Sequence, residues 1–163
     1  MAAASSRQVT ESTPVTASRF ATGSRPVTDY VRLRIGQETY AVPVGFVQGV
    51  ASLGDVAEVP GGPPELLGVR DLRGQVLPVA DLGLLLGVPR TDPAGRLLIT
   101  EQGARRAGLA IDEVSDVGEL PEPAEETDSP LLAGALLADG ALIGVIDVPR
   151  VLDSLEQQVS GRA

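Results

Sequence analysis

The stretch of sequence that decides the fold is GVRDLRGQVLPVADLGLLLG, residues 68–87. It overlaps two apolar runs, at 66–72 and 75–80, that are separated by the dipeptide Arg73-Gly74. Apolar runs on either side of a two-residue turn that contains glycine are typical of a β-hairpin. The sequence therefore predicts two paired strands, with Arg73 at the tip of the turn.

A short helix is predicted directly after this hairpin. The side chain of Asp81 can accept a backbone hydrogen bond as the N-cap of a helix, and Leu82, Leu85 and Leu86 recur at helical spacing. Gly87 belongs to the residue type that is favoured just beyond a helix end. We therefore interpret Asp81, and likewise Asp147 later in the chain, as structural helix caps.

Three further strands are predicted before the hairpin. In the first, apolar residues alternate with arginines, with the period of two expected of a strand with one buried face: Val31, Arg32, Leu33, Arg34 and Ile35. The second strand is predicted at 39–44 and the third at 47–53. A stretch rich in proline and glycine at 60–64 then interrupts regular structure.

The second half of the chain repeats this order. A shift of 67 places residues 41–53 on 108–120, and a shift of 66 places 68–86 on 134–152. The matched pairs include Val47 with Val114, Val50 with Val117, Gly68 with Gly134, Gly74 with Gly140, and Asp81 with Asp147. Because this series keeps the order of turns, caps and strand phase, it indicates an internal duplication.

The fold class follows from the duplication. Each repeat supplies five short strands and a short helix, and five short curved strands can close into a small barrel that leaves no exposed edge. We predict a mostly β protein with two five-stranded β-barrel subdomains, built from repeat one at about 30–87 and repeat two at about 96–155. The strands at 75–80 and 141–146 are apolar on both faces, so we expect both faces to be covered at the junction between the barrels.

The ends of the chain differ in composition from the repeats. Residues 1–26 are rich in Ala, Ser and Thr and show no apolar periodicity, which predicts a disordered N-terminal tail. Residues 158–163 are predicted to form a short C-terminal tail, which leaves one domain at 27–157. No apolar run reaches the roughly 20 residues of a membrane helix, so we expect no direct membrane insertion and a cytoplasmic location.

Composition excludes several kinds of chemistry. The sequence contains no cysteine, histidine or lysine, which excludes thiolate nucleophiles, His-based metal sites, Ser-His-Asp triads and Schiff bases. Only carboxylate chemistry remains, and the densest acidic run, at 119–128, is interleaved with prolines as in a solvated loop. We therefore expect no catalytic residue, no metal, no cofactor and no enzyme activity, with a carboxylate-based hydrolase as a minor alternative.

The net charge restricts the class of partner. The chain carries a net charge of −9, and aromatic residues make up 2% of it. Its field therefore repels phosphate backbones, and few rings are available for base stacking. Nucleic acid is not an expected partner.

Ordered motifs in both halves resemble the CheW family, the adaptors of bacterial chemotaxis. The pattern LRGQVLPVADL at 72–82 carries the resemblance most specifically. RLRIGQETYAVPVGFVQGV at 32–50, AGLAIDEVSDVGEL at 107–120 and LLAGALLADGALIGVIDVPRVL at 131–152 extend it in order. The resemblance implies that the two barrels are SH3-like.

The resemblance also implies a non-catalytic adaptor that is recruited to membrane-associated receptor arrays. Its expected partners are the regulatory domain of a CheA-type histidine kinase and the cytoplasmic tip of chemoreceptors. An exposed apolar groove between the barrels is expected to accept an amphipathic receptor helix. The kinase-binding residues are not assigned.

The resemblance predicts receptor-binding residues at Val47, Val50, Asp71 and Arg73. Valines on an alternating strand are also typical of a core, so the two valines have a structural interpretation as well. Many family members pair the turn arginine with a glutamate on the third strand, where this chain has Gly49. Arg73 must therefore use another carboxylate, with Asp71 as a candidate, or stay available for a partner.

Two alternatives and one unexplained feature accompany these predictions. The chain could serve a kinase pathway other than flagellar chemotaxis, such as surface motility. A small barrel could instead hold an apolar ligand, although few aromatic or polar side chains are available to orient one. In the second repeat, Asp116 and Asp139 occupy the positions equivalent to Gly49 and Arg73, which puts like charges there without an evident role.

Overall fold

The computed structural model describes residues 27–88 and 94–160. The predicted N-terminal tail at 1–26, the segment 89–93 and the last residues, 161–163, lie outside the described residues. The strands of the first half are β1 (Val27–Ile35), β2 (Glu38–Pro43), β3 (Val47–Ser52), β4 (Leu66–Leu72) and β5 (Gln75–Asp81), followed by helix α1 (Leu82–Leu86). Those of the second half are β6 (Arg96–Gln102), β7 (Arg105–Ile111), β8 (Glu113–Pro121), β9 (Leu132–Ala138) and β10 (Ala141–Ile146), followed by helix α2 (Val148–Ser160).

These strands form two five-stranded sheets. Sheet A has the order β8-β1-β2-β10-β9, and sheet B has the order β3-β6-β7-β5-β4. The predicted mostly β fold with two five-stranded subdomains is confirmed. Replacing each strand of sheet A by its counterpart in the other half reproduces the order of sheet B, as an internal duplication requires.

The division of strands between the sheets differs from the expectation that each repeat builds its own barrel. The hairpin β1–β2 joins three strands of the second half, and β6–β7 joins three strands of the first. Each half thus contributes one hairpin to the sheet of the other half, which we call the hairpin exchange. In the first half the chain passes from sheet A to sheet B at Val44–Phe46, a 3-10 turn between β2 and β3. Residue periodicity predicts a strand but not its neighbour, so the sequence did not reveal this exchange.

The end strands of the sheets, as far as the structure describes them, do not pair with each other through ladder hydrogen bonds. In sheet B, the side chain of Arg70 bridges the two end strands. Its Nη1 donates to the carbonyl oxygen of Ser52 at 2.8 Å. The two sheets therefore do not close into barrels through their strand ladders, and the prediction of closed barrels is wrong in this respect.

The largest buried core lies between the two sheets. It takes residues from β1, β2, β6, β7 and both helices, including Leu33, Val42, Leu98, Leu109, Leu82 and Leu155. A smaller core lies within sheet A around Leu136 and Ile143, and another within sheet B around Leu77 and Leu97. The junction, where an open groove was expected, is therefore filled by the protein's own side chains, and a partner can reach only its rim.

Helix α1 agrees with the sequence interpretation. The Oδ1 atom of Asp81 accepts a hydrogen bond from the backbone N–H of Leu84 at 3.2 Å, and Gly87 ends the helix with φ 72°. Asp147 has the same role at α2, where its Oδ1 atom accepts from the backbone N–H of Arg150 at 3.1 Å. The interpretation of both aspartates as caps is confirmed.

Helix α2 is longer than predicted. It continues to Ser160, so the C-terminal tail predicted from 158 begins inside the helix. The side chain of Arg105, at the start of β7, forms ion pairs with two exposed carboxylates of helix α2, those of Asp153 and Glu156. The hydrogen bond to Asp153 is the main cause that raises the pKa of Arg105. No helix of the described part of the chain is long and apolar enough to cross a membrane.

Strands β5 and β10 are not covered along their whole length. Val76 is 70% exposed and Leu142 is 60% exposed, whereas burial begins at Leu77 and Ile143. The expectation of two covered faces is wrong for these first residues. The reason is that β5 pairs with β7 only from Val79 onward, so the hairpin tips project beyond the neighbouring strands.

Candidate protein-docking surface

Strand β3, at the edge of sheet B, carries the two valines predicted to bind a receptor. Val47 and Val50 are three residues apart, so a regular strand would place them on opposite faces. The register shifts between Val47 and Gly49, because Val47 lies opposite Thr100 while Val50 lies opposite Leu98. Since Thr100 and Leu98 are two residues apart on β6, this β-bulge turns both valines to one face of the sheet.

The two valines differ in burial. Val47 is partly buried and packs against the core between the sheets. Val50 is 37% exposed, although its register partner Leu98 is fully buried. Together they form a short apolar line from the rim of the junction to solvent. The structural and functional interpretations of these valines therefore both apply.

Arg73 occupies the tip of the hairpin β4–β5, as predicted. It has φ 53° and Gly74 has φ 81°, so both central residues have the positive φ of a type I′ turn. The side chain of Arg73 is exposed and makes no hydrogen bond or ion pair with any other described residue. Arg73 is thus free to bind a partner.

Asp71 does not pair with Arg73. Its Oδ1 atom accepts a hydrogen bond from the backbone N–H of Gly74 at 3.0 Å, which stabilises the turn. Asp71 therefore shapes the backbone on which Arg73 is presented. The pairing of these two side chains, which the sequence allowed, does not occur.

Gly49 leaves open space on β3. A Cβ atom built at this position meets no atom within 4 Å, and its backbone is not in the left-handed region. A larger side chain would therefore fit without displacing the core. The absence of a glutamate here is not a consequence of packing.

The bulge of β3 is occupied by a polar group. Gln48 lies within it and donates from Nε2 to the carboxylate of Glu101, while its Oε1 atom accepts from Nη2 of Arg106 at 2.9 Å. Glu101 and Arg106 are register partners on β6 and β7. Sequence reasoning missed this group, because nothing in the local pattern predicts that three separated strands meet at one glutamine.

The second half contains a counterpart of this surface on β8, the edge of sheet A. Val114 lies opposite Leu33 and Val117 opposite Val31, with a register shift between them as in β3. Val114 packs against the core between the sheets, and Val117 is 60% exposed. Sequence reasoning did not propose these valines, although the shift of 67 pairs them with Val47 and Val50.

The like charges of the second half are explained by Arg32. Asp116 is its register partner on β8, and Asp139 accepts a hydrogen bond from its Nη1 at 2.9 Å. The pairing of β1 with β8 places this arginine, which belongs to the first half, across from Asp116, and its side chain binds Asp139. In sheet A, Asp139 at the hairpin tip is thus neutralised by Arg32. In sheet B, Arg73 at the equivalent tip has no partner among the described residues.

The other candidate chemistries find little support. The described residues contain no cluster of acidic side chains arranged to hold a metal ion. A pocket of about 230 Å³ beside α2 is lined by residues that include Pro78, Arg105, Arg106 and Leu155. It lies below the roughly 300–1,000 Å³ typical of small-molecule sites. This pocket therefore does not favour the small-ligand alternative.

Comparison with known proteins agrees with the architecture. Residues 29–156 match the family model of the CheW-like domain. The chain therefore belongs to the CheW-like domain family. Its structure is similar to the scaffolding protein TtCheW from Thermoanaerobacter tengcongensis, with a TM-score of 0.67 and 26% sequence identity, over 74% of this chain and 88% of that one.

Two curated relatives have similar sequences over most of their length. A probable chemotaxis protein CheW from Rhizobium etli is 30% identical over 142 residues, which cover 81% of this chain and 92% of the relative. Protein FrzA from Myxococcus xanthus is 32% identical over 129 residues, which cover 78% of this chain and 79% of the relative.

Proposed function

We propose that this protein is a non-catalytic cytoplasmic adaptor that couples chemoreceptors to a CheA-type histidine kinase. In this function it has no active site and no cofactor. Its role is to bind the receptor and the kinase in a fixed geometry. A change in its contacts with the receptor can then change its contacts with the kinase. Membership of the CheW-like family and likeness to a protein described as a scaffold support this function.

The observation that carries the proposal is the composite surface of Val47, Val50 and Arg73. The bulge of β3 exposes an apolar line, and the β4–β5 hairpin of the same sheet presents an arginine that has no partner in the described protein. An apolar line and a free guanidinium on one sheet suit an amphipathic helix, which offers apolar anchors and a carboxylate. This surface is the proposed contact for the receptor tip.

The backbone at Arg73 adds a second argument. Residues other than glycine, asparagine and aspartate rarely adopt a positive φ, which costs them about 1 kcal/mol. The equivalent turn of sheet A has the favoured residue, Asp139, with φ 52°. An arginine kept at an unfavourable position and bound to nothing inside the protein is better explained by a partner than by folding.

A separate surface is needed for the kinase. Leu137 and Leu142 are register partners on the outer face of the hairpin β9–β10, and they are 70% and 60% exposed. They belong to sheet A, whereas the receptor surface belongs to sheet B. We assign this leucine pair as the candidate contact for the CheA regulatory domain, because an exposed apolar pair favours a protein partner.

A scaffold of another kinase pathway is the second candidate. Protein FrzA, one of the similar relatives, does not carry the CheW name. The same surfaces would be used in either pathway. The genes beside this one would distinguish the two, since they encode the receptor and the kinase that the adaptor serves.

Binding of each partner, measured separately, tests the proposal. The full-length chain is titrated with the cytoplasmic-tip fragment of a cognate receptor and with the regulatory domain of the cognate kinase. Arg73→Glu should weaken binding to the tip at least tenfold and leave kinase binding unchanged, and Leu142→Asp should do the reverse. Each variant is the control for the other. Failure of the unmodified chain to bind either partner would refute the adaptor function.

A further inference from the structure

The apolar line on β8 of sheet A, which ends at the exposed Val117, differs in charge from its counterpart on β3. On sheet B, the next register pair on the same face beyond the exposed valine is Ser52 with Arg96. On sheet A, the equivalent pair is Glu119 with Asp29, and both of these side chains are exposed. A ligand that suits the charge of one line is therefore disfavoured at the other.

The two carboxylates lie on the same face of sheet A as Val117. Val117 lies opposite Val31 and Glu119 lies opposite Asp29, without a register shift between these pairs. Residues two apart on a strand point to the same face. Like charges directly opposite each other destabilise a sheet, so this pair favours a cation beside it. We call Val117, Asp29 and Glu119 the β8 surface.

Strand β8 is a long end strand with an exposed valine. It has nine residues, and Val117 is 60% exposed. The other end strand of sheet A, β9, is bridged on its outer edge, where Glu125 pairs with Ala135. Within 27–88 and 94–160, no isolated bridge of this kind lies along β8. Native proteins usually cover an edge of this kind, because it can pair with another chain.

A basic segment of the chain enters sheet A beside the β8 surface. Strand β1 begins at Val27, two positions before Asp29 and its partner Glu119. The residues that precede the strand at 19–25 read RFATGSR. They contain two arginines, the aromatic ring of Phe20 and no acidic residue, in a chain of net charge −9. Charge complementarity therefore favours this segment as the occupant of the β8 surface.

The segment is long enough to reach Val117. Phe20 precedes Val27 by seven residues, and an extended chain of that length spans up to roughly 25 Å. Val117 is four positions from Pro121, the register partner of Val27, which is about 13 Å along β8. Gly23, between Phe20 and β1, is a residue type that permits the chain to turn back.

We propose that residues 19–25 dock on the β8 surface of the same chain. Arg25 lies between the two carboxylates, and the ring of Phe20 packs on Val117. Because the segment is tethered, its effective concentration at the surface is in the millimolar range, so weak contacts are enough to keep it docked. The docked segment covers the edge of β8 and leaves the line on β3 as the one open to a partner helix.

The test is NMR spectroscopy of the full-length chain with labelled valine methyl groups and phenylalanine rings. A nuclear Overhauser effect (NOE) is expected between the ring of Phe20 and the methyl groups of Val117, and it should persist on dilution. Phe20→Leu should shift the methyl resonances of Val117, because the ring current is lost. Arg25→Gln should reduce the NOE about twofold at low salt and less at high salt, since exposed ion pairs are weak and screened. Arg7→Gln, which removes the remaining arginine of residues 1–26, is the matched control and should change neither signal.

The carboxylates are tested from the described side of the contact. The double variant Asp29→Asn and Glu119→Gln should reduce the NOE as Arg25→Gln does. Adding Arg25→Gln to this double variant should cause no further loss, because the changes remove the same interaction. Both carboxylates are exposed, so these variants leave the core intact. A further, additive loss would refute the pairing of Arg25 with the two carboxylates.

Two other outcomes would overturn the inference. If no NOE joins Phe20 to Val117 and Phe20→Leu leaves the Val117 resonances unchanged, the segment does not dock on β8. If the NOE appears only between differently labelled copies in a mixed sample, a second copy of the chain covers β8 instead. These measurements involve no partner protein, so their failure leaves the proposed adaptor function standing, and failure to bind a receptor or a kinase leaves this inference standing.

Discussion

Arg32 on β1 donates a hydrogen bond of 2.9 Å to Asp139, a residue 107 positions later in the turn between β9 and β10. The contact exists because the first hairpin of the chain is built into the sheet that the second half completes. The two halves are therefore joined by backbone ladders within both sheets as well as by the core between them. A protein connected in this way is expected to unfold as one unit.

The first prediction concerns this dependence of each half on the other. A chain cut within 89–93 gives two fragments, each of which lacks two or three of the strands needed for either sheet. Each fragment should be unfolded as a monomer by circular dichroism, and the two should regain β structure when mixed in equal amounts. A fragment that folds alone as a stable monomer would contradict the observed strand exchange.

The second prediction concerns the strength of the Arg32–Asp139 pair. The side chain of Arg32 is 21% exposed and that of Asp139 is 78% exposed, so water screens the interaction. A double-mutant cycle with Arg32→Gln and Asp139→Asn should give a coupling free energy of about 0.5–1 kcal/mol by urea unfolding. A coupling energy near zero would show that the register of β1, and not this pair, holds the tip of the hairpin.

The third prediction concerns Gly68. This residue has φ 146°, and a Cβ atom there would lie 2.1 Å from the carbonyl oxygen of Ala57. Gly68→Ala should lower the free energy of unfolding by about 2–4 kcal/mol, because it combines backbone strain with a steric clash. Gly118→Ala is the matched control, since a Cβ atom there meets nothing within 4 Å. Equal stability of the two variants would contradict the close approach of the backbone at Ala57 to Gly68.

The fourth prediction separates stability from function at Arg73. Asparagine adopts a positive φ more readily than arginine does, so Arg73→Asn should raise the free energy of unfolding by about 0.5–1 kcal/mol. The same variant should weaken binding to the receptor tip, because the guanidinium is lost. Thermal unfolding and titration with the receptor-tip fragment measure the two effects. If the variant is more stable and binds the fragment with full affinity, Arg73 is not part of the docking surface.

The fifth prediction concerns pH. Without histidine or cysteine, the side chains offer no group with an ordinary pKa between 6 and 8, so stability should be nearly constant there. Burial raises the pKa of Tyr30 and of Tyr40, with smaller contributions from Glu122 and Glu38. A raised folded-state pKa means that stability is present below the unfolded value of about 10 and is lost as the pH rises above it.

The Tyr30→Phe and Tyr40→Phe double variant tests this origin of the alkaline loss. It should lose less of its free energy of unfolding between pH 9 and 11 than the unmodified chain, as measured by urea titration at each pH. If both proteins lose stability in parallel, the buried phenols are not the cause.

The sequence alone predicted the five strands of the first half, the repetition of their order in the second half, and the two helix caps. The reason is that these features are local: alternation gives the strands, two-residue turns with glycine give the hairpins, and Asp81 caps a helix through its own backbone. The duplication was also visible, since the matching positions keep their order. Composition excluded the chemistry of histidine, lysine and cysteine, because the sequence contains none of these residues.

Only the tertiary structure decided which strands pair and which arginines are neutralised. The exchange of hairpins depends on contacts between residues far apart in sequence, and a strand's alternation does not identify its neighbour. The bulge that turns Val47 and Val50 to one face is a property of the register between β3 and β6. The same long-range pairing brings Asp139 to Arg32 and leaves Arg73 without a partner among the described residues, because charges 107 residues apart meet only when the sheets are assembled.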